Sequence, residues 1–131
     1  MTTTTWKATW AGLEDEQIVT DTTMRTFDSG ATRDNDAAKP DFEGILSPLA
    51  LQRYGAYMQK HRVQADGMVR ASDNWQKGIP LDAYMKSLLR HVMALWYTHR
   101  YAKGEDIEES LAAILFNAQG YLHELLKAKL P

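Results

Sequence analysis

Apolar residues recur at three- and four-residue steps through two long stretches of this chain. Leu81, Tyr84, Met85, Leu88, Leu89, Val92, Leu95 and Trp96 predict a helix over 80–102. Ile107, Leu111, Ile114, Leu115, Ala118, Leu122 and Leu125 predict another over 105–129. Each set reads as one buried stripe. Pro80 suits a first helical position, where its missing N–H is not needed, and Gly104 reads as a stop. Acids in the first turn of the second stretch and lysines in its last suit the helix dipole. The short turn between the stretches predicts an antiparallel pair. A third helix begins at Ser47-Pro48, a cap residue followed by a first-position proline. It passes through Leu49, Leu51, Tyr54, Tyr57 and Met58 to about Gln64, weakened at Gly55.

Elsewhere the periodicity fades. Residues 1–45 are rich in Thr and Asp and broken by Gly30, Pro40 and Gly44, with a short helix expected near Leu13–Val19. No strand pattern of comparable strength is present. Residues 65–79 read as a loop, long for a helical domain and of the kind that carries function. The fold class expected is all-α: a bundle of about three long helices behind an irregular N-terminal arm. The arm occupies 1–26 and one domain 27–131. Three helices give limited depth for stripes this broad, so dimerisation or higher homo-oligomerisation is expected to complete the bundle.

Composition narrows the function. At 131 residues the chain is large enough for one domain with a hydrophobic core. It has no cysteine, which excludes disulfides, zinc–thiolate sites and cysteine nucleophiles. No apolar run reaches membrane-span length and no signal peptide opens the chain, so a cytoplasmic protein without a membrane partner is expected. Charge is segregated: residues 47–104 hold nine Lys/Arg against three Asp/Glu, whereas both flanking segments are acidic. A basic middle suits an anionic ligand, or pairs internally with the acidic ends. No basic run or recognised DNA-binding motif is present, so specific DNA binding is not expected.

Three constellations carry candidate chemistry. Asn74-Trp75-Gln76-Lys77-Gly78-Ile79-Pro80 joins a flat aromatic face, a cation and a glycine to a helix start, where free N–H groups favour anions. It reads equally as an ordinary helix start with a core tryptophan. Glu105, Asp106, Glu108 and Glu109 place carboxylates at helical three- and four-residue steps. Such oxygens suit magnesium or manganese, with a metal-activated water attacking a phosphoryl group. The alternative is acids that merely suit the dipole. Arg90, His91 and, on the following helix, Asn117 offer a phosphate partner, a general base and a base-reading amide; a packing His91 bridged to Asn117 is the bland reading. His61, His99 and His123 have weaker claims. The phosphate-loop, dinucleotide-binding, nucleophile-elbow and H-E-x-x-H motifs do not occur.

In order along the chain, Phe27-Asp28-Ser29-Gly30-Ala31-Thr32-Arg33-Asp34, Lys39-Pro40-Asp41-Phe42, Asn74-Trp75-Gln76-Lys77-Gly78, Leu89-Arg90-His91 and Leu111-Ala112-Ala113 through Asn117-Ala118 resemble the dATP/dGTP diphosphohydrolase N-terminal domain family, found mostly in bacteriophages. The resemblance covers about residues 27–126. It implies an all-α domain like those of the all-α nucleoside triphosphate pyrophosphohydrolases. It further implies hydrolysis of a purine deoxynucleoside triphosphate (dGTP or dATP) to the monophosphate and pyrophosphate with a divalent metal. Carried over, Asn74, Trp75, Lys77 and Gly78 belong to the nucleotide pocket, and Arg90, His91, the Glu105–Glu109 acids and Asn117 lie near phosphate, metal or base. Two departures stand out. The wider group pairs E-x-x-E on one helix with E-x-x-D on the next, whereas the 80–102 helix here carries only Asp82 and the helix from Ser47 to about Gln64 no acid. Ser110 also stands where longer members have a histidine.

The leading expectation is therefore a phage nucleotide hydrolase. Glu105 with Glu108 or Glu109 holds the metal, His91 and Glu109 serve catalysis, and Asn74, Trp75, Lys77, Gly78, Arg90 and Asn117 bind substrate. The alternative is a non-catalytic protein that sequesters a nucleotide signal, for example from host defence.

Overall fold

The structure, a computed structural model, describes residues 23–131; the helix expected near Leu13–Val19 and most of the 1–26 arm lie outside the described residues. Two compact units make up the chain: one through Leu46 together with Lys129–Pro131, the other Ser47–Ala128.

The first unit holds a structure that apolar periodicity does not announce. Strands β1 (Met24–Thr26) and β2 (Thr32–Asp34) pair antiparallel, with Arg25 opposite Arg33. Gly30, at φ 89°, turns the chain between them. Arg25 pairs with Asp36 at 3.2 Å and its guanidinium lies 5.5 Å from the Phe27 ring centre. Strands of three residues are too short for alternation to register, which is why the sequence reads as irregular here. A single turn, α1 (Phe42–Ile45), follows, capped by the Asp41 carboxylate.

The second unit is helical. Helix α2 (Pro48–Lys60) starts as expected, with Ser47 accepting from the Ala50 N–H and Pro48 in the first turn. It ends four residues earlier than expected, and His61 closes it. Residues 62–70 then double back. Gln64 N–H donates to the Met68 carbonyl and Arg70 N–H to the Arg62 carbonyl, around an isolated bridge between Val63 and Val69. This turn brings Arg62 and Arg70 side by side. A 3₁₀ turn (Asn74–Lys77) carries Trp75, and Gly78 leaves it at φ 116°.

Helices α3 (Leu81–Tyr101) and α4 (Ile107–Lys127) form the main antiparallel pair, and α2 packs on α4. Pro80 caps α3 rather than entering it. Helix α3 stops at Ala102, which is itself left-handed (φ 56°). Gly104, at φ 140°, completes the turn against Thr98 Oγ1, which would lie 2.7 Å from an added Cβ. Asp106 caps α4 by accepting from the Glu108 N–H at 2.8 Å, so Glu105 lies outside the helix and shares no helical face with Glu108 and Glu109.

The buried seam is made of small and polar residues. Ser110, Ala112, Ala113, Asn117 and Gly120 of α4 are buried, against Tyr84 and Thr98 of α3. A Cβ on Gly120 would stand 2.2 Å from the Tyr84 ring, so that glycine sets how closely α3 and α4 approach. The Tyr84 ring is 1% exposed, and its Oη, like Ser110 Oγ, has no protein hydrogen-bond partner. The apolar stripes expected to be buried are largely turned outward. Met85, Leu89, Val92 and Trp96 of α3, and Ile107, Leu111, Leu115, Leu122 and Leu125 of α4, are all exposed. Close helix approach selects small side chains for a seam, and the larger ones are left on the other side.

Among the described residues no helix is long and apolar enough to cross a membrane.

Candidate functional site

A cleft of about 280 Å³ opens between α2, the 62–79 turn and the α3–α4 pair. Helix α2 lends Tyr57 and Met58, and its cap lends His61. The turn contributes Arg62, Arg70, Ser72, Asn74 and Trp75; α3 contributes Ser87 and His91, and α4 Phe116 and Asn117. Among the described residues no carboxylate lines it. The wall is thus two guanidiniums, two imidazoles, three aromatic rings and short polar side chains.

Each group is held by its neighbours. Trp75 stands edge-on to Phe116 and to His123, with ring centres 6.4 and 4.8 Å apart. Phe116 meets Tyr84 at 5.9 Å, also edge-on. Tyr57 and His61 rings lie 4.2 Å apart. Arg62 donates through Nε to the Arg70 carbonyl at 2.9 Å and through Nη1 to Gln59 Oε1 at 3.2 Å, which fixes its guanidinium along the rim. Asn117 is 3% exposed, and its Nδ2 donates to the Ala113 carbonyl one turn back at 2.8 Å. One of its donors is thus taken by its own helix rather than by His91.

Electrostatics follow from this crowding. Burial, then the cations Lys60 and Arg70 and the neighbouring His91, push the His61 pKa below its ordinary value. The Tyr57 hydroxyl is pushed up by burial, and Tyr54 by burial and then by Tyr57 and Tyr84. A concentration of positive charge that depresses its own imidazole is one that gains from an anion.

Of the residues singled out in the sequence, Asn74, Trp75, His91 and Asn117 come together here. Lys77 and Gly78 are not among the lining residues. No atom stands within 4 Å of a Cβ built on Gly78, so its positive φ, not close packing, is what calls for glycine. Arg90 lies one position round the helix from His91 and borders a shallow outer depression with Lys86, Leu89 and Met93. The sequence reading missed Tyr57, Arg62, Arg70, Ser72 and Ser87. His61 and Arg62, at the basic end of α2, equally suit the helix dipole, which conceals their place in the cleft.

The acidic turn borders a second depression, lined by Tyr57, Lys60, His61, His91, Glu105, Asp106 and Glu109, which shares three residues with the cleft. Of its acids, Asp106 caps α4 and Glu109 is ion-paired. Glu109 pairs with Lys60, and its Oε2 lies 3.7 Å from Arg53 Nη2; Glu108 accepts from Arg53 Nε at 2.8 Å. Among the described residues no three His, Asp or Glu side chains converge as a metal-ligand set. Glu105 precedes the α4 cap and so lies off the helical turn that holds Glu108 and Glu109.

No family model, curated protein or solved structure matches this chain.

Proposed function

We propose that the protein binds a phosphorylated nucleoside in the cleft between α2 and the α3–α4 pair, as a binding protein rather than a metal-dependent hydrolase. The observation that carries this reading is the lining itself: Arg62, Arg70, His61 and His91 stand beside Trp75, Tyr57 and Phe116 with no carboxylate among them. Guanidiniums suit phosphate oxygens, as bidentate donors, and an indole offers a face on which a base stacks. The buried Asn117 amide and Asn74 add directional hydrogen bonding at the base edge. The volume lies near the lower end of small-molecule sites, so a nucleoside fills it and the phosphates extend along the arginine rim. The resemblance to the phage dATP/dGTP diphosphohydrolase family favours a purine deoxynucleotide, and in a phage setting such a protein sequesters a nucleotide signal.

A second reading, hydrolysis to monophosphate and pyrophosphate, is favoured by one observation: the depression holding Glu105, Asp106 and Glu109 adjoins the cleft at Tyr57, His61 and His91. For a divalent metal to bind there, Glu109 must leave Lys60. Titration calorimetry with dGTP and dATP, in the presence of a chelator and again with magnesium or manganese, tests both readings. Binding that survives the chelator without pyrophosphate release supports the first. Metal-dependent pyrophosphate release overturns it in favour of the second.

A further inference from the structure

The outward face of α3 mixes aromatic rings with cations. Between Asp82 and Glu105 the chain carries Lys86, Arg90, Arg100 and Lys103 and no acid. Among the described residues none of these cations has a carboxylate within ion-pair distance. Trp96, Tyr97 and Tyr101 are each more than half exposed. With Met93 and Arg100 they line a hollow of about 220 Å³, in which the Tyr97 and Tyr101 ring centres lie 4.9 Å apart. A shallower depression lined by Lys86, Leu89, Arg90 and Met93 meets it at Met93. From Lys86 to Tyr101 the strip runs roughly 22 Å along the helix. None of these residues lines the cleft beside α2.

We propose that this strip binds single-stranded nucleic acid, with its cations along the phosphates and its rings against the bases. Charge complementarity selects a polyanion, because the cations stand unopposed along one helix. The rings set among them select a nucleic acid from other polyanions, because bases stack on exposed aromatic side chains. Position on the helix argues against a lipid surface. At about 100° per residue, Arg100 shares its angle with Asp82 and falls between Leu89 and Met93, at the centre of the exposed face. A membrane-lying helix keeps its charges to one side of an apolar face. This one would carry an arginine and an aspartate into the lipid, at a desolvation cost. Phosphates and base faces are common to all sequences, so the contact carries no sequence preference. That agrees with the lack of a recognised DNA-binding motif. The length suits about four nucleotides, the lower end of single-strand sites.

Fluorescence anisotropy of a labelled oligothymidylate of about 12 nucleotides, titrated with the full chain, tests this. Binding should saturate and weaken with salt, with a log–log slope of about −2 to −3 for three to four phosphates neutralised. The variant W96A/Y101A changes exposed positions to a strong helix former, so circular dichroism and melting temperature should match the parent chain. Its affinity for the oligonucleotide should fall at least about tenfold. R90Q/R100Q should flatten the salt slope by about 1.4. Polyglutamate should compete far less well than unlabelled oligothymidylate, and vesicles of phosphatidylcholine and phosphatidylserine should not retain the protein. Absence of oligonucleotide binding overturns the proposal. So does an affinity unchanged in W96A/Y101A, a slope unchanged in R90Q/R100Q, polyglutamate that competes equally, or retention on the vesicles that the oligonucleotide does not displace.

Discussion

Glu109 of α4 is held by Lys60 of α2, and this pairing decides which charges remain for a ligand. The acids at the start of α4 are matched to the cations of α2, Arg53 and Lys60. The cations beyond the end of α2, Arg62 and Arg70, have no carboxylate within ion-pair distance among the described residues. Of the nine cations in residues 47–104, Arg53 and Lys60 tie α2 to α4 and Arg62 and Arg70 line the cleft, whereas the other five do neither.

Glu109→Gln should separate the two. The pair is partly solvent-screened, so stability should fall by no more than about 1 kcal/mol. Nucleotide affinity should hold or rise, because a negative charge next to the cleft has gone. Calorimetric titration and a denaturant melt on the same variant read both effects. A loss of affinity beyond tenfold would assign the carboxylate a ligand or metal role instead.

Trp75 should report and supply binding. Stacking of a base on an aromatic side chain contributes about 1–3 kcal/mol, so Trp75→Ala should weaken the complex by roughly 5- to 150-fold. Trp75→Phe, which keeps a ring against Phe116 and His123, should retain most of the affinity and the melting temperature. Intrinsic fluorescence follows the event directly. Equal affinity in Trp75→Ala and the parent chain would remove the indole from the site.

Binding should take up a proton. His61 is held below its ordinary pKa of 6.5 by burial, by Lys60 and Arg70, and by His91. A phosphate among these cations favours the protonated ring and raises that pKa. Affinity should therefore rise as pH falls through the raised pKa of the complex, then level off once His61 is protonated in the free protein too. For the unliganded protein the sign is opposite. The unfolded chain binds the proton more readily, so stability should decline as pH falls from 6.5 towards the depressed folded value. Calorimetry in two buffers of different ionisation enthalpy measures the uptake, which His61→Gln should abolish.

The Tyr84–Gly120 seam makes a contrasting pair of stability predictions. Gly120→Ala places a methyl group 2.2 Å from the Tyr84 ring and should cost about 1–3 kcal/mol or more. Tyr84→Phe removes a buried hydroxyl that has no protein partner, and should be neutral or stabilising by up to about 1 kcal/mol. Thermal melts of the two variants check both signs.

The long helices and their antiparallel turn were legible because a 3.6-residue period survives any tertiary context. What that period could not reveal was which way each stripe faces. Leu89, Trp96, Leu111 and Leu122 look like core, yet the seam went to Gly120, Ala113, Ser110 and Asn117, because small residues let two backbones approach. The β1–β2 hairpin escaped notice because three-residue strands carry no measurable alternation. Part of the candidate cleft was legible for a related reason. Asn74, Trp75, His91 and Asn117 stood out as polar or aromatic residues in otherwise predictable surroundings. Arg62 and Arg70 become neighbours only through the Val63–Val69 bridge, a nonlocal pairing that no spacing announces.

The most direct measurement is calorimetric titration of the protein with dGTP and dATP under chelator, repeated on Arg62→Gln/Arg70→Gln. The account predicts saturable binding of one nucleotide per chain without metal, weakened at least about tenfold when the two guanidiniums are removed. No heat with either nucleotide, or binding indifferent to both arginines, would contradict it.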